Sequence, residues 1–186
     1  MSSNLTGLNN LLHKALEIAN KVHKNQKDKK NYPYMAHVQD IRERVKEFGQ
    51  AYEIVAILHD AIEDAVDTSQ SFQREIREKI KTTFTKEVFD AVDAMTRRGP
   101  PLYKKKEDYK TEYLPRLKQN QIASKVKIAD SSHNLSKAHL IDDANMRSQL
   151  RNKYINVLNY LGVDGKLCEK PLYFINEKWQ EKNIED

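Results

Sequence analysis

A chain of 186 residues gives room for one domain with a sizeable core, not for two. Its 39% hydrophobic and 32% charged residues suit a soluble globular protein, and no apolar run reaches the length of a membrane span. Net charge is a modest +5, the lone Cys168 excludes an intrachain disulfide, and MSSNLTGLNN lacks the basic and apolar regions of a signal peptide, so a cytoplasmic location is expected.

Helical periodicity runs through nearly the whole chain. Leu8, Leu11, Leu12, Ala15, Ala19 and Val22 predict a first amphipathic helix. A break at 24–32 follows, and Lys21 to Lys30 carries five lysines against one aspartate. Val38, Ile41, Val45 and Phe48 mark a second helix. Ile54, Val55, Leu58, Ala61 and Ile62 mark a third that is expected to continue through LHDAIED. After a break at 65–71, Phe72, Ile76, Ile80 and Phe84 form one stripe and Val88, Val92 and Met95 another. RRGPPLYKKK, with two prolines and a glycine, predicts an exposed loop. From Arg97 to Lys127 there are ten basic residues against three acidic ones, a patch suited to phosphates.

Further stripes run through Ile122, Val126 and Ala129, then, beyond a break at 141–145, through Leu150, Tyr154, Val157, Leu158 and Leu161. No sustained two-residue alternation and no Asn-Gly turn suggests a strand. The expected architecture is an all-α bundle of roughly eight to ten helices, given typical helix lengths. One domain spans 1–186, with a core at about 8–163. The tail, 164–186, carries Tyr173, Phe174 and Trp179 and is expected to pack back onto the body.

LHDAIED is the least ordinary segment. The apolar run IVAIL leads into His59, Asp60, Glu63 and Asp64, bringing three carboxylates and an imidazole towards a core. Buried carboxylates need a compensating positive charge, and a divalent cation supplies one compactly. His37, closing PYMAH, and Asp130, in VKIADSSHNL, are further candidate ligands. The set His37, His59, Asp60 and Asp130 mixes two imidazoles with two carboxylates, which suits manganese, iron or zinc better than calcium. Singly, each of these residues is commonplace. Their joint pattern and order carry the inference.

That order, H…HD…D, resembles the HD-domain phosphohydrolases. HKNQKDKKNYPYMAH is similar to the small alarmone hydrolase signature H-x-x-Q-x-R-K-x-x-x-P-Y-x-x-H, and ILHDAIED to L-H-D-x-x-E-D. VDAMTRR, VKIADSSHNL and RNKYINVLNYL resemble further segments of that family, in order, from about Leu8 to Leu161. The family is related to the hydrolase half of RelA/SpoT enzymes of the stringent response. The resemblance implies an HD-type helical fold and one manganese ion on His37, His59, Asp60 and Asp130. It implies Glu63 and Asp64 as the acidic pair that activates water. It places Asn134 in the nucleotide pocket, with Lys27 and Lys29 beside the base and ribose. Where the signature has an arginine that helps to hold guanine, this chain has Asp28; Val38 and Ser131 also depart from it.

The implied activity is metal-dependent removal of the 3′-pyrophosphate from (p)ppGpp-like alarmones, giving GDP or GTP. The alternatives are hydrolysis of another nucleotide, a phosphoadenosine compound or NADPH, and a non-catalytic alarmone-binding module. Lys27, Lys29, Arg97, Arg98, Arg116, Lys153 and Tyr154 are candidates for holding phosphates. His133 is expected behind the metal ligands, and His13, His23 and His139 in surface or structural places. The expected partner is a small nucleotide. Membrane and nucleic acid are not expected, and a homodimer is compatible with the sequence.

Overall fold

The computed structural model describes residues 2–100, 102–103 and 105–181, with side chains from residue 10 onward. Its helices are α1 (Ser2–His23), α2 (Tyr34–Val45), α3 (Gln50–Leu58), α4 (Ala61–Asp64), α5 (Gln70–Thr83), α6 (Lys86–Met95), α7 (Leu114–Lys118), α8 (Gln121–Ser136) and α9 (Ala144–Tyr160). Local chemistry sets several starts. Ser69, Thr85, Asn120 and Asp143 each accept a hydrogen bond from the backbone N–H three residues on, capping α5, α6, α8 and α9. Gly49 precedes α3 at φ 107°, in the left-handed region that glycine tolerates.

Helix α3 organises the bundle. Ile54, Val55, Ala56, Ile57 and Leu58 are all buried, as expected for a helix that is apolar on every side. It packs against α1, α2, α6 and α8. The stripes on α1, α2, α5, α6 and α8 converge on it in one continuous core. The side chain of Leu8 lies outside the described residues.

Two expectations are corrected. LHDAIED is not one continuous helix. α3 ends at Leu58, Asp60 sits at φ −110°, ψ 0°, and α4 restarts at Ala61. The chain also contains strands. β1 (Leu172–Ile175) pairs antiparallel with β2 (Lys178–Glu181). Asn176 and Glu177, at φ 51° and 60°, provide the two left-handed residues of a type I′ turn without a glycine. Four-residue strands are too short to show an alternation.

The hairpin docks through Trp179, which is 7% exposed and meets the rings of Tyr32 at 4.9 Å and His133 at 5.4 Å. Gly165 permits the approach of this segment to α9, because a Cβ there would lie 2.8 Å from the Ile155 Cα. No helix among the described residues is long and apolar enough to cross a membrane.

Candidate metal centre and its cleft

His59 and Asp60 stand at the break between α3 and α4, where the buried helix delivers its polar end to the interior. The His59 Nδ1–H donates to the Ala56 carbonyl at 2.8 Å, which orients the ring and turns Nε2 towards the carboxylates. That Nε2 is buried and makes no aligned hydrogen bond, although Asp60 Oδ2 is 3.0 Å away and Asp130 Oδ1 4.0 Å away. His37, from α2, brings Nε2 to 3.4 Å from Asp130 Oδ1. One ligand atom from each of His37, His59 and Asp130 falls within 4.8 Å of the others, and all three residues are buried. Asp60 lies beside this trio rather than in it, accepting a hydrogen bond from the Tyr34 hydroxyl.

The electrostatics show what the cluster needs. Burial works against a proton on His59, yet the neighbouring Asp60 carboxylate lifts the ring to about 9. Burial alone would raise Asp130, but Lys127 and His37 hold it well below the usual carboxylate range. Lys127 Nζ donates to Asp130 Oδ2 at 2.8 Å, and Asn134 Nδ2 to Asp130 Oδ1 at 2.6 Å. Two imidazoles and two carboxylates, one imidazole nitrogen orphaned, form a donor set that fits a borderline divalent cation.

Glu63 and Asp64 follow on α4. Glu63 accepts from the Arg97 backbone N–H at 3.1 Å, and burial, with Asp60 near, pushes its carboxyl up. Asp64 accepts from Gln26 Nε2 at 2.8 Å, and burial together with the Asp60 charge raises it to about 7. A carboxyl poised near neutrality suits proton transfer.

Of these groups, His37, Asp60, Glu63, Asp64 and Asp130 line a cleft of about 510 Å³, within the usual range for ligand sites. Helix α8 forms one wall: Lys127, Asp130 and Asn134, and Lys137 just past its end, recur at three- and four-residue spacing along its cleft face. Lys27, Lys29, Lys153 and Tyr154 also line it, as does Arg97, whose Nε is buried without a partner.

Arg116 does not join them. Its five donors all serve the protein: Nε and Nη2 bind Glu107 at 2.8 Å each, Nη1 binds the Asp93 and Ala94 carbonyls, and Nη2 the Thr96 carbonyl. It holds the end of α6 against the base of the basic loop, in which Pro101 and Lys104 lie outside the described residues.

The sequence reading missed several residues. His23, expected in a surface or structural place, takes the structural one: it is 1% exposed and reaches Asp64 through Gln26. Tyr34 holds Asp60. Lys127 on α8 and Lys137 at its C-cap were legible in principle as a polar stripe. The His133 Nδ1 is 2.7 Å from the His37 Nδ1, which places it behind that ring.

Among solved structures, the chain is similar to one described as a metazoan ortholog of SpoT that hydrolyzes ppGpp and plays a role in starvation responses. The TM-score is 0.63 at 20% identity, covering 85% of this chain and 90% of that one. The likeness is one of fold, and the HD-type all-α bundle expected from the sequence is the fold found. No protein-family model and no curated protein matches the chain.

Proposed function

We propose that this single-domain protein is a metal-dependent phosphohydrolase that removes the 3′-pyrophosphate from a (p)ppGpp-like nucleotide. The observation that carries the reading is the buried trio His37, His59 and Asp130, of which His37 and Asp130 line, with Asp60, Glu63 and Asp64, a lysine-rich cleft. His37, His59, Asp60 and Asp130 would hold one divalent ion, manganese in the first instance. When bound, such an ion lowers the pKa of a water and polarises a phosphoryl oxygen.

The chain's own residues do the rest. Lys27, Lys29, Arg97 and Lys153 neutralise the phosphates. Glu63 or Asp64 accepts one proton from the attacking water. The water oxygen bonds to the phosphorus carried by the 3′-oxygen, that P–O bond breaks, and the 3′-oxygen takes up a proton as pyrophosphate leaves. Asn134 orients Asp130 and faces the nucleotide.

Pyrophosphate release from guanosine tetraphosphate in the presence of manganese tests the reading. Wild type should turn over and Asp60→Ala should not; equal, slow release by both would refute it. A second reading keeps the chemistry and changes the base. Asp28, at the position of the family's guanine-binding arginine, is bound to Lys137 Nζ at 3.1 Å. Phosphoadenosine compounds and NADPH therefore belong on the same substrate panel.

A further inference from the structure

His23 closes α1 and lies outside the proposed ligand set, yet it is almost fully buried next to the acidic pair. Its Nδ1 is 2.5 Å from Gln26 Oε1, and Gln26 Nε2 is 2.8 Å from Asp64 Oδ2. The direction of this chain of bonds is determined by chemistry. Whenever Asp64 is ionised it only accepts, and the amide turns its NH2 towards it, as the 2.8 Å contact shows. Its carbonyl oxygen then faces His23, whose Nδ1 must carry the hydrogen. His23 Nε2 is buried without a partner, which suits a neutral ring with a bare lone pair there, because a protonated ring would bury an unpaired N–H.

The ring itself is held. Its centroid lies 4.8 Å from that of Tyr34, whose hydroxyl donates to Asp60. The last residue of α1, the loop residue Gln26 and the first residue of α2 thus converge on Asp60 and Asp64, the two carboxylates that bracket α4. Without His23, the amide keeps only its bond to Asp64 and loses the second anchor that fixes where its NH2 lies.

We propose that His23 is a positioning residue: it fixes the Gln26 amide, and the amide fixes the Asp64 carboxylate for proton transfer from the attacking water. The inference rests on the hydrolase reading of Asp64 given above. It predicts that His23→Leu and Gln26→Leu each lower kcat by about 100-fold, the scale of a misplaced catalytic group, with KM and manganese affinity as in wild type. His23→Asn, whose amide N–H can replace the Nδ1–H, should restore most of the rate.

The experiment measures steady-state pyrophosphate release, manganese affinity by calorimetry, and the Gln26 side-chain NH2 signals in nitrogen–proton NMR spectra. The NH2 signals should move in His23→Leu and return in His23→Asn. Unchanged Gln26 signals in folded His23→Leu, or a wild-type kcat in either leucine variant, overturn the inference and leave the hydrolase reading intact. A wild type without turnover on any nucleotide overturns the hydrolase reading, and with it the catalytic purpose assigned to His23, even if the signals move.

Discussion

At one end of the cleft, His59, Asp60, Asp64 and Asp130 are each bound to another part of the chain, by Ala56, Tyr34, Gln26 and Lys127 respectively. At the other end, Lys27 and Lys29 are exposed and engage no acceptor among the described residues. The first arrangement fixes atoms to fractions of an ångström at the cost of burying charge. The second keeps ammonium groups hydrated until an anion arrives. A reacting centre needs the former, because geometry governs its rate. A polyphosphate can be held by the latter, because charge attracts with little regard to angle.

Removing a buried partner should give the largest effect. Asp130→Ala deletes a proposed ligand and strands Lys127, and breaking a buried pair costs about 3–5 kcal/mol. Calorimetry should find no manganese binding, and the melting temperature should fall by roughly 10 °C. Unchanged melting would break the contrast between the two ends. Next in size, Glu63→Gln should keep its metal and lose turnover by about 10²–10⁴-fold; an empty metal site in that variant would merge two roles that the geometry separates.

The buried end should also leave a trace in stability. The Asp64 carboxyl titrates at about 7 in the folded protein, above the ordinary value of 3.8. A raised folded pKa means that its contribution is fully present below pH 4 and is lost as pH climbs through 7. Metal-free Asp64→Asn lacks that loss and should be the more stable protein at pH 8, by an amount on the order of a few kcal/mol, with the gap closing towards pH 4. Denaturant unfolding across that range checks the sign.

Arg116→Ala should cost about 2–3 kcal/mol through the loss of its bonds to Glu107 and to the α6 carbonyls, while KM stays as in wild type. A raised KM would return Arg116 to the cleft. Smallest of all, Lys27→Ala should raise KM about tenfold with kcat nearly constant, equivalent to about 1.4 kcal/mol of binding, and should blunt the salt dependence of KM.

The helices were legible because their apolar positions recur with the helical period, and α3 stood out because it is apolar all round. HD and ED were legible because carboxylates after an apolar run are chemically costly. The break at His59–Asp60 was not, since Leu58, Ala61 and Ile62 keep a helical spacing across it. Arg116 was misjudged because charge alone does not reveal whether five donors are already engaged. His23 and Gln26 matter through a contact with Asp64, some forty residues along the chain, that only the packing of α1 against α4 creates. The hairpin turn escaped notice because Asn176 and Glu177 adopt left-handed angles without the glycine that signals them.

Trp179 is the chain's only tryptophan and it lines the cleft, with Lys137 Nζ 4.8 Å from its ring centre and His133 edge-on. The protein's long-wavelength emission therefore comes from a single fluorophore set in the wall of the cleft. Displacing water from that wall, or moving the lysine above the indole, alters its colour and yield, so the native chain comes with an optical probe at the place where a ligand would arrive.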